Sequence, residues 1–97
     1  MKFVQIIEFK TQDIDGFNKT LDEFLKSTEG SRTTTRGMQT RDRDNANTYL
    51  QIVEFPSYEA AMENSSRPET AEFAASLQKI CDGPPLFRNL DVLRDET

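Results

Sequence analysis

The sequence predicts an α+β fold in which strands and helices follow one another as β-α-β-β-α-β, and three observations carry that reading. Residues 4 to 9, Val-Gln-Ile-Ile-Glu-Phe, return at 50 to 55 as Leu-Gln-Ile-Val-Glu-Phe, an offset of 46 that also aligns Phe3 with Tyr49. Each copy stands just before a segment whose apolar side chains have helical spacing, so the repeated unit is strand then helix. A threonine-rich stretch between the units and an alternating run after the second supply two further strands.

The first strand is expected from about Lys2 to Phe9, with Phe3, Gln5, Ile7 and Phe9 on one face and Val4, Ile6 and Glu8 on the other. Both faces are largely apolar, which places it centrally. Asp13 is positioned to cap a helix in which Ile14, Phe17, Leu21, Phe24 and Leu25 form the apolar stripe, ending near Gly30. Ser31 to Thr40 reads as a half-exposed strand, and Gly37 within it suggests a bulge or a close backbone approach. Arg41 to Asn47 is a charged, turn-rich hairpin connection; a clamp for phosphate or carboxylate made by Arg41 and Arg43 is the alternative.

The repeated strand occupies Thr48 to Phe55 and closes at Pro56. Ser57 caps a short helix containing Tyr58, Ala61 and Met62. Ser66-Arg67-Pro68-Glu69 has the spacing of a capping box, which starts a second helix with a stripe of Phe73, Ala74, Leu77, Ile80 and Cys81. Asp82-Gly83-Pro84-Pro85 stops that helix. The last strand runs from Leu86 to about Leu93, and a charged tail follows.

The 97 residues fit one domain spanning 1–97. Leu, Ile, Val and Phe together number 22, so either the core is small or part of the apolar surface is buried against a second subunit. A net charge of −5 repels phosphate backbones and anionic lipid heads, so neither nucleic acid nor membrane is expected as a partner. With no apolar run long enough for a span or a secretory segment, the sequence predicts a soluble, cytoplasmic protein. The absence of His and the single Cys81 exclude the usual zinc sets and the Ser-His-Asp and Cys-His catalytic arrangements. Neither a metal site nor a cofactor is expected, and Cys81 reads as a buried structural thiol.

Right-handed crossovers turn this order into a ferredoxin-like, four-stranded antiparallel sheet of order 4-1-3-2, with the helices on one face. The repeated strands become neighbours. Read as parallel and in register, they would set Gln5 beside Gln51, Glu8 beside Glu54 and Phe9 beside Phe55. The face without helices would be apolar and bare, so a homodimer packed sheet against sheet is expected.

Gln5 and Gln51 are the most informative polar pair, because a central strand buries an amide only with partners. They either line a cavity or join a structural network with side chains of the outer strands. Glu8 and Glu54, if adjacent, would offer an acid beside a base; if not, water or Arg36 and Arg88 would neutralise them. Tyr49, Phe55, Tyr58 and Phe73 supply aromatic surface between sheet and helices, as core or as pocket wall. Arg67 stands either at such a pocket's mouth or in solvent at the helix start.

Over essentially its whole length the chain resembles the dimeric α/β-barrel superfamily, and within it the group related to antibiotic-biosynthesis monooxygenases. The element order, the strand Phe3-Val-Gln-Ile-Ile-Glu-Phe9 and the segment Glu54-Phe-Pro-Ser-Tyr-Glu-Ala-Ala-Met-Glu-Asn64 carry the resemblance. Many of those relatives have Trp and, nine residues on, His where this chain has Phe55 and Asn64, which removes haem ligation at that position. Some cofactor-free oxygenases of the group are thought to use Asn with aromatic residues to bind phenolic substrates. Taken with the amides and aromatics above, the resemblance, which adds Asn64, leads to an expected ligand site at Gln5, Tyr49, Gln51, Phe55, Asn64 and Phe73, with the catalytic residues unassigned. Three functions follow: a homodimer binding a small apolar or aromatic ligand between sheet and helices, a cofactor-independent monooxygenase acting on a phenolic or quinone-like substrate, or a structural or regulatory dimer with no pocket.

Overall fold

The computed structural model describes residues 1–96: β1 (Phe3–Lys10), α1 (Ile14–Ser27), β2 (Arg36–Arg41), β3 (Thr48–Phe55), α2 (Tyr58–Ser65), α3 (Pro68–Gln78) and β4 (Leu86–Asp91). The strands form one antiparallel sheet ordered β2-β3-β1-β4. This is the ferredoxin-like order that the sequence predicts, with the second helical segment divided into α2 and α3.

The repeated strands are neighbours, but they run antiparallel, which corrects the parallel pairing expected from the repeat. A strand-helix-strand crossover returns the chain parallel to its first strand, and the β2–β3 hairpin then reverses it, so β3 must oppose β1. Phe3 consequently faces Phe55, Gln5 faces Val53, Ile7 faces Gln51 and Phe9 faces Tyr49. Glu8 pairs with Leu50 and Glu54 with Val4, so the two carboxylates sit at opposite ends of the strands and form no acidic pair. Glu54 is met by Lys2 at 3.5 Å and by the Thr35 hydroxyl at 2.8 Å, not by an arginine.

Local chemistry explains the element ends. The Asp13 carboxylate accepts from the Gly16 N–H at 2.9 Å, and Ser57 Oγ from the Ala60 N–H at 3.1 Å, each satisfying a free donor of a first helical turn. A Cβ on Gly16 would lie 2.3 Å from Asp13 Oδ2, so the cap needs glycine there. The expected capping box at Ser66 does not form. Ser66 instead ends α2, its hydroxyl donating to the Glu63 carbonyl, and α3 starts at Pro68 with no side-chain cap. Strand β2 also begins later than expected: the Thr33 hydroxyl donates to the Ala60 carbonyl and that of Thr35 to Glu54, which holds this stretch as a connection. Gly37 is neither bulged nor crowded, since the β2–β3 register is continuous through it and a Cβ there would meet nothing within 4 Å.

The helices cover one face of the sheet. Phe17 of α1 stacks on Phe9 with ring centroids 4.0 Å apart, and Tyr58 of α2 meets Phe3 edge-on at 5.4 Å. The buried apolar residues are Phe3, Phe9, Phe17, Phe55 and Ala61, a small core. From the expected α3 stripe, Phe73, Leu77, Ile80 and Cys81 are half-buried while Ala74 is exposed. Fully buried Thr11 ties the ends of the two helical units together: its hydroxyl donates to the Ile80 carbonyl at 2.9 Å and accepts from the Asp13 N–H at 3.0 Å.

The opposite face carries Val4 and Ile6 of β1, Leu50 and Ile52 of β3, Met38 of β2, and Leu86 and Leu90 of β4. Met38, Leu86 and Leu90 are exposed, and no helix covers this side.

Candidate functional site

Between the two aromatic clusters, the helix-covered face is hollow. A cavity of about 440 Å³ lies over the middle of β1, β3 and β2. Its floor is Gln5 and Ile7 of β1 with Gln51, Val53 and Phe55 of β3, and Gly37 and Gln39 form its edge on β2. Leu21, Phe24 and Leu25 of α1 cover it from one side, Asn64, Thr70 and Phe73 from the other. Phe24 and Phe73 stack at 4.6 Å, and that contact joins α1 to α3 above the void.

Two amides, Gln5 and Gln51, stand on the floor among apolar side chains. Gln5 Nε2 donates to Asn89 Oδ1 at 3.1 Å, and Gln39 Nε2 donates to Gln51 Oε1 at 3.3 Å and to Asn18 Oδ1 at 2.7 Å. The glutamines thus join outer-strand amides in a network and line a cavity as well. The network leaves Gln5 Oε1 and Gln51 Nε2 without partners among the described residues.

Asn64 differs. It is held where α2 gives way to α3, its backbone carbonyl accepting the Thr70 hydroxyl at 2.8 Å. The residue lines the cavity, and its side-chain oxygen Oδ1 is buried behind that wall with no hydrogen-bond partner among the described residues. An acceptor left in that state costs about 1–3 kcal/mol, so a donor supplied from the cavity would recover free energy.

Of the six residues expected to bind ligand, Gln5, Gln51, Phe55, Asn64 and Phe73 line this one cavity. Tyr49 does not. The antiparallel register puts it opposite Phe9, and the two rings stack at 5.6 Å beyond the cavity's end. Arg67 is turned to Glu63 at 3.6 Å and lies outside the lining. Arg41 and Arg43 flank a turn held by Asp42, whose carboxylate accepts from the Asp44 N–H and the Asn45 amide and is pushed below the usual carboxylate range by those bonds.

Phe24, Gln39, Gly37 and Arg32 also line the cavity, and the sequence reading did not assign them there. Gly37 carried a signal, a glycine within a strand, although its reason is open space and not close approach. Cys81 lies elsewhere, half-buried, with its thiol pushed up first by burial and then by the Asp82 carboxylate, the opposite of what a nucleophile needs. Among the described residues no three His, Cys, Asp or Glu side chains gather as a metal site. Among the described residues no helix is long and apolar enough to cross a membrane.

No protein-family profile and no curated protein matches the sequence. Solved structures do match the fold. A protein from Caulobacter crescentus, provisionally assigned as an antibiotic biosynthesis monooxygenase, superposes with a TM-score of 0.83 at 14% identity, over 96% of this chain and 91% of its own. SnoaB, a cofactor-independent oxygenase from Streptomyces nogalater, gives 0.81 at 14% identity over 97% and 95%. Rv0793 from Mycobacterium tuberculosis gives 0.81 at 14% identity over the full length of both chains. The chain therefore has the ferredoxin-like fold of the antibiotic-biosynthesis-monooxygenase-like proteins.

Proposed function

We propose that this protein is a homodimer that binds a small aromatic, hydroxyl-bearing molecule in the cavity between sheet and helices, without a cofactor. The observation that carries this reading is Asn64, which lines a cavity together with Phe24, Phe55 and Phe73 and whose buried Oδ1 has no hydrogen-bond partner among the described residues. Aromatic rings give a planar ligand apolar contact, and a small turn of the Asn64 amide would let its oxygen accept from a ligand hydroxyl. Gln5 Oε1 and Gln51 Nε2 offer an acceptor and a donor for further polar groups. The homodimer is supported by the uncovered sheet face, where Val4, Ile6, Met38, Leu50, Ile52, Leu86 and Leu90 form a patch that a second copy would cover across a two-fold axis.

Calorimetric titration with 2-naphthol tests the binding. Saturable uptake by the wild type, lost in a Gly37→Phe variant whose new ring fills the void, is the expected result. No heat of binding, or equal binding by the variant, rejects it.

The second reading is a cofactor-independent monooxygenase, and the fold shared with SnoaB favours it. In such a reaction a phenolic substrate, through the keto tautomer whose ring carries a methylene, reduces O2 directly: that methylene becomes a carbonyl, one oxygen atom entering the product and the other leaving as water with the two hydrogens. Asn64 would orient the substrate hydroxyl, and the proton would leave to water, because the amide is no base. Oxygen consumption in the presence of anthrone-type and hydroquinone substrates, abolished by Asn64→Leu, is the expected outcome. A panel with no consumption above the uncatalysed rate removes this reading and leaves the binding protein.

A further inference from the structure

Resting on the ligand reading above, we propose that the cavity selects aromatic ligands bearing an anionic group, a carboxylate above all, and that Arg32 is the residue that makes this choice. The chain as a whole is acidic, with 17 Asp and Glu against 12 Lys and Arg. The cavity inverts that balance. Its lining contains no acidic residue and includes two arginines, Arg32 and Arg36.

The two arginines are not equivalent. Arg36 pairs with Glu54 in the sheet, and the alternation of the strand sends its side chain toward the face away from the helices. Arg32 belongs to the connection between α1 and β2 and is half-buried at the cavity. Its Nη1 donates to the Leu25 carbonyl at 2.6 Å and to Thr28 Oγ1 at 3.3 Å, which anchors the guanidinium against the last turn of α1. These bonds use one nitrogen; Nε and Nη2 have no partner among the described residues. The ion pairs of the described residues involve Lys2, Arg67 and Arg94, and Arg32 has no carboxylate within 4.0 Å.

A guanidinium that is immobilised, partly desolvated and left without a counter-ion is prepared to donate two parallel hydrogen bonds to a planar anion. Immobilisation lowers the entropy lost on binding, and the reduced local dielectric strengthens the attraction relative to the surface. A lysine in solvent offers neither. Net charge opposes anions only at long range, because screening limits its reach to roughly 8 Å at physiological ionic strength.

The same contacts cap the helix C-terminus, where a cation is favourable for stability alone. Charge selectivity separates the two roles. The test is a calorimetric comparison of 3-hydroxy-2-naphthoate with 2-naphthol at neutral pH, where the first is an anion and the second neutral, for wild type, Arg32→Gln and Arg32→Lys. The wild type is expected to bind the naphthoate about tenfold tighter than the naphthol, and Arg32→Gln to lose that preference while holding naphthol within about twofold. Arg32→Lys should keep part of the preference.

Equal affinity of the wild type for both probes overturns the proposal and leaves the aromatic site intact. Preference retained in Arg32→Gln assigns the selectivity elsewhere and also overturns it. Failure of both probes to bind the wild type rejects the ligand reading itself, and this inference with it. The wild-type ratio tests the anion preference without any variant, and where Arg32→Gln unfolds, a full preference left in Arg32→Lys overturns the assignment to Arg32.

Discussion

The two faces of the sheet distribute polar and apolar side chains differently at their centres. Under the helices the middle rows are Gln39-Gln51-Ile7-Phe87 and Gly37-Val53-Gln5-Asn89, mixed in polarity and hollow. On the uncovered side the middle row is Met38-Ile52-Ile6-Arg88, flanked by the rows Thr40-Leu50-Glu8-Leu86 and Arg36-Glu54-Val4-Leu90, apolar at the centre and charged toward the ends. The covered face buries Phe3, Phe9 and Phe55 toward its two ends but keeps amides at its centre, where a monomer optimised for its own stability would put apolar side chains. The arrangement here makes sense if the covered face holds a ligand and the bare face a second subunit.

That contrast can be broken one face at a time. The largest effect is expected from Ile52→Lys, which sets a charge at the centre of the bare face. Size-exclusion chromatography with light scattering should find a dimer for the wild type at micromolar concentration and a monomer for the variant, because an uncompensated charge in an apolar interface costs several kcal/mol. A wild-type monomer would show that this face needs no cover.

Gly37→Phe addresses the other face. It should weaken aromatic ligands by more than about tenfold and leave the assembly unchanged, since the new side chain occupies the void without touching the interface. Asn64→Leu sharpens the comparison further. Removing the orphaned acceptor should stabilise the ligand-free protein by about 1 kcal/mol in urea unfolding while reducing affinity for hydroxylated rings. Function and stability then oppose each other at one side chain.

The smallest change is a control outside both faces. Asp13→Ala removes the α1 cap and should lower stability by about 1 kcal/mol with no effect on assembly or binding.

Much of the fold was legible because it rests on periodicity. The repeated strand, the Asp13 and Ser57 caps and the bounds of β3 all follow from local spacing and local hydrogen bonds. Strand direction did not, because a repeat in sequence carries no sign of the turn between its copies. The parallel reading of β1 and β3 missed the reversal at the hairpin, and with it went the Glu8–Glu54 pair and the place of Tyr49. Gln5 and Gln51 stood out as amides in central strands, which is why both could be named before their neighbours were known. Asn64 was legible only through resemblance. Arg32 gave no signal at all: it is a coil residue whose position depends on the last turn of α1 and the depth of the void beside it.

The most direct test of the account is nitrogen-15 mapping of a 2-naphthol titration by NMR. The side-chain amide signals of Asn64, Gln5, Gln51 and Gln39 should shift together and saturate, with the backbone of Gly37 beside them and the backbone signals of Met38, Ile52 and Leu90 changing least. Shifts gathered on Met38, Ile52 and Leu90, or no saturable shift at the amides, would contradict the assignment of the covered face to the ligand.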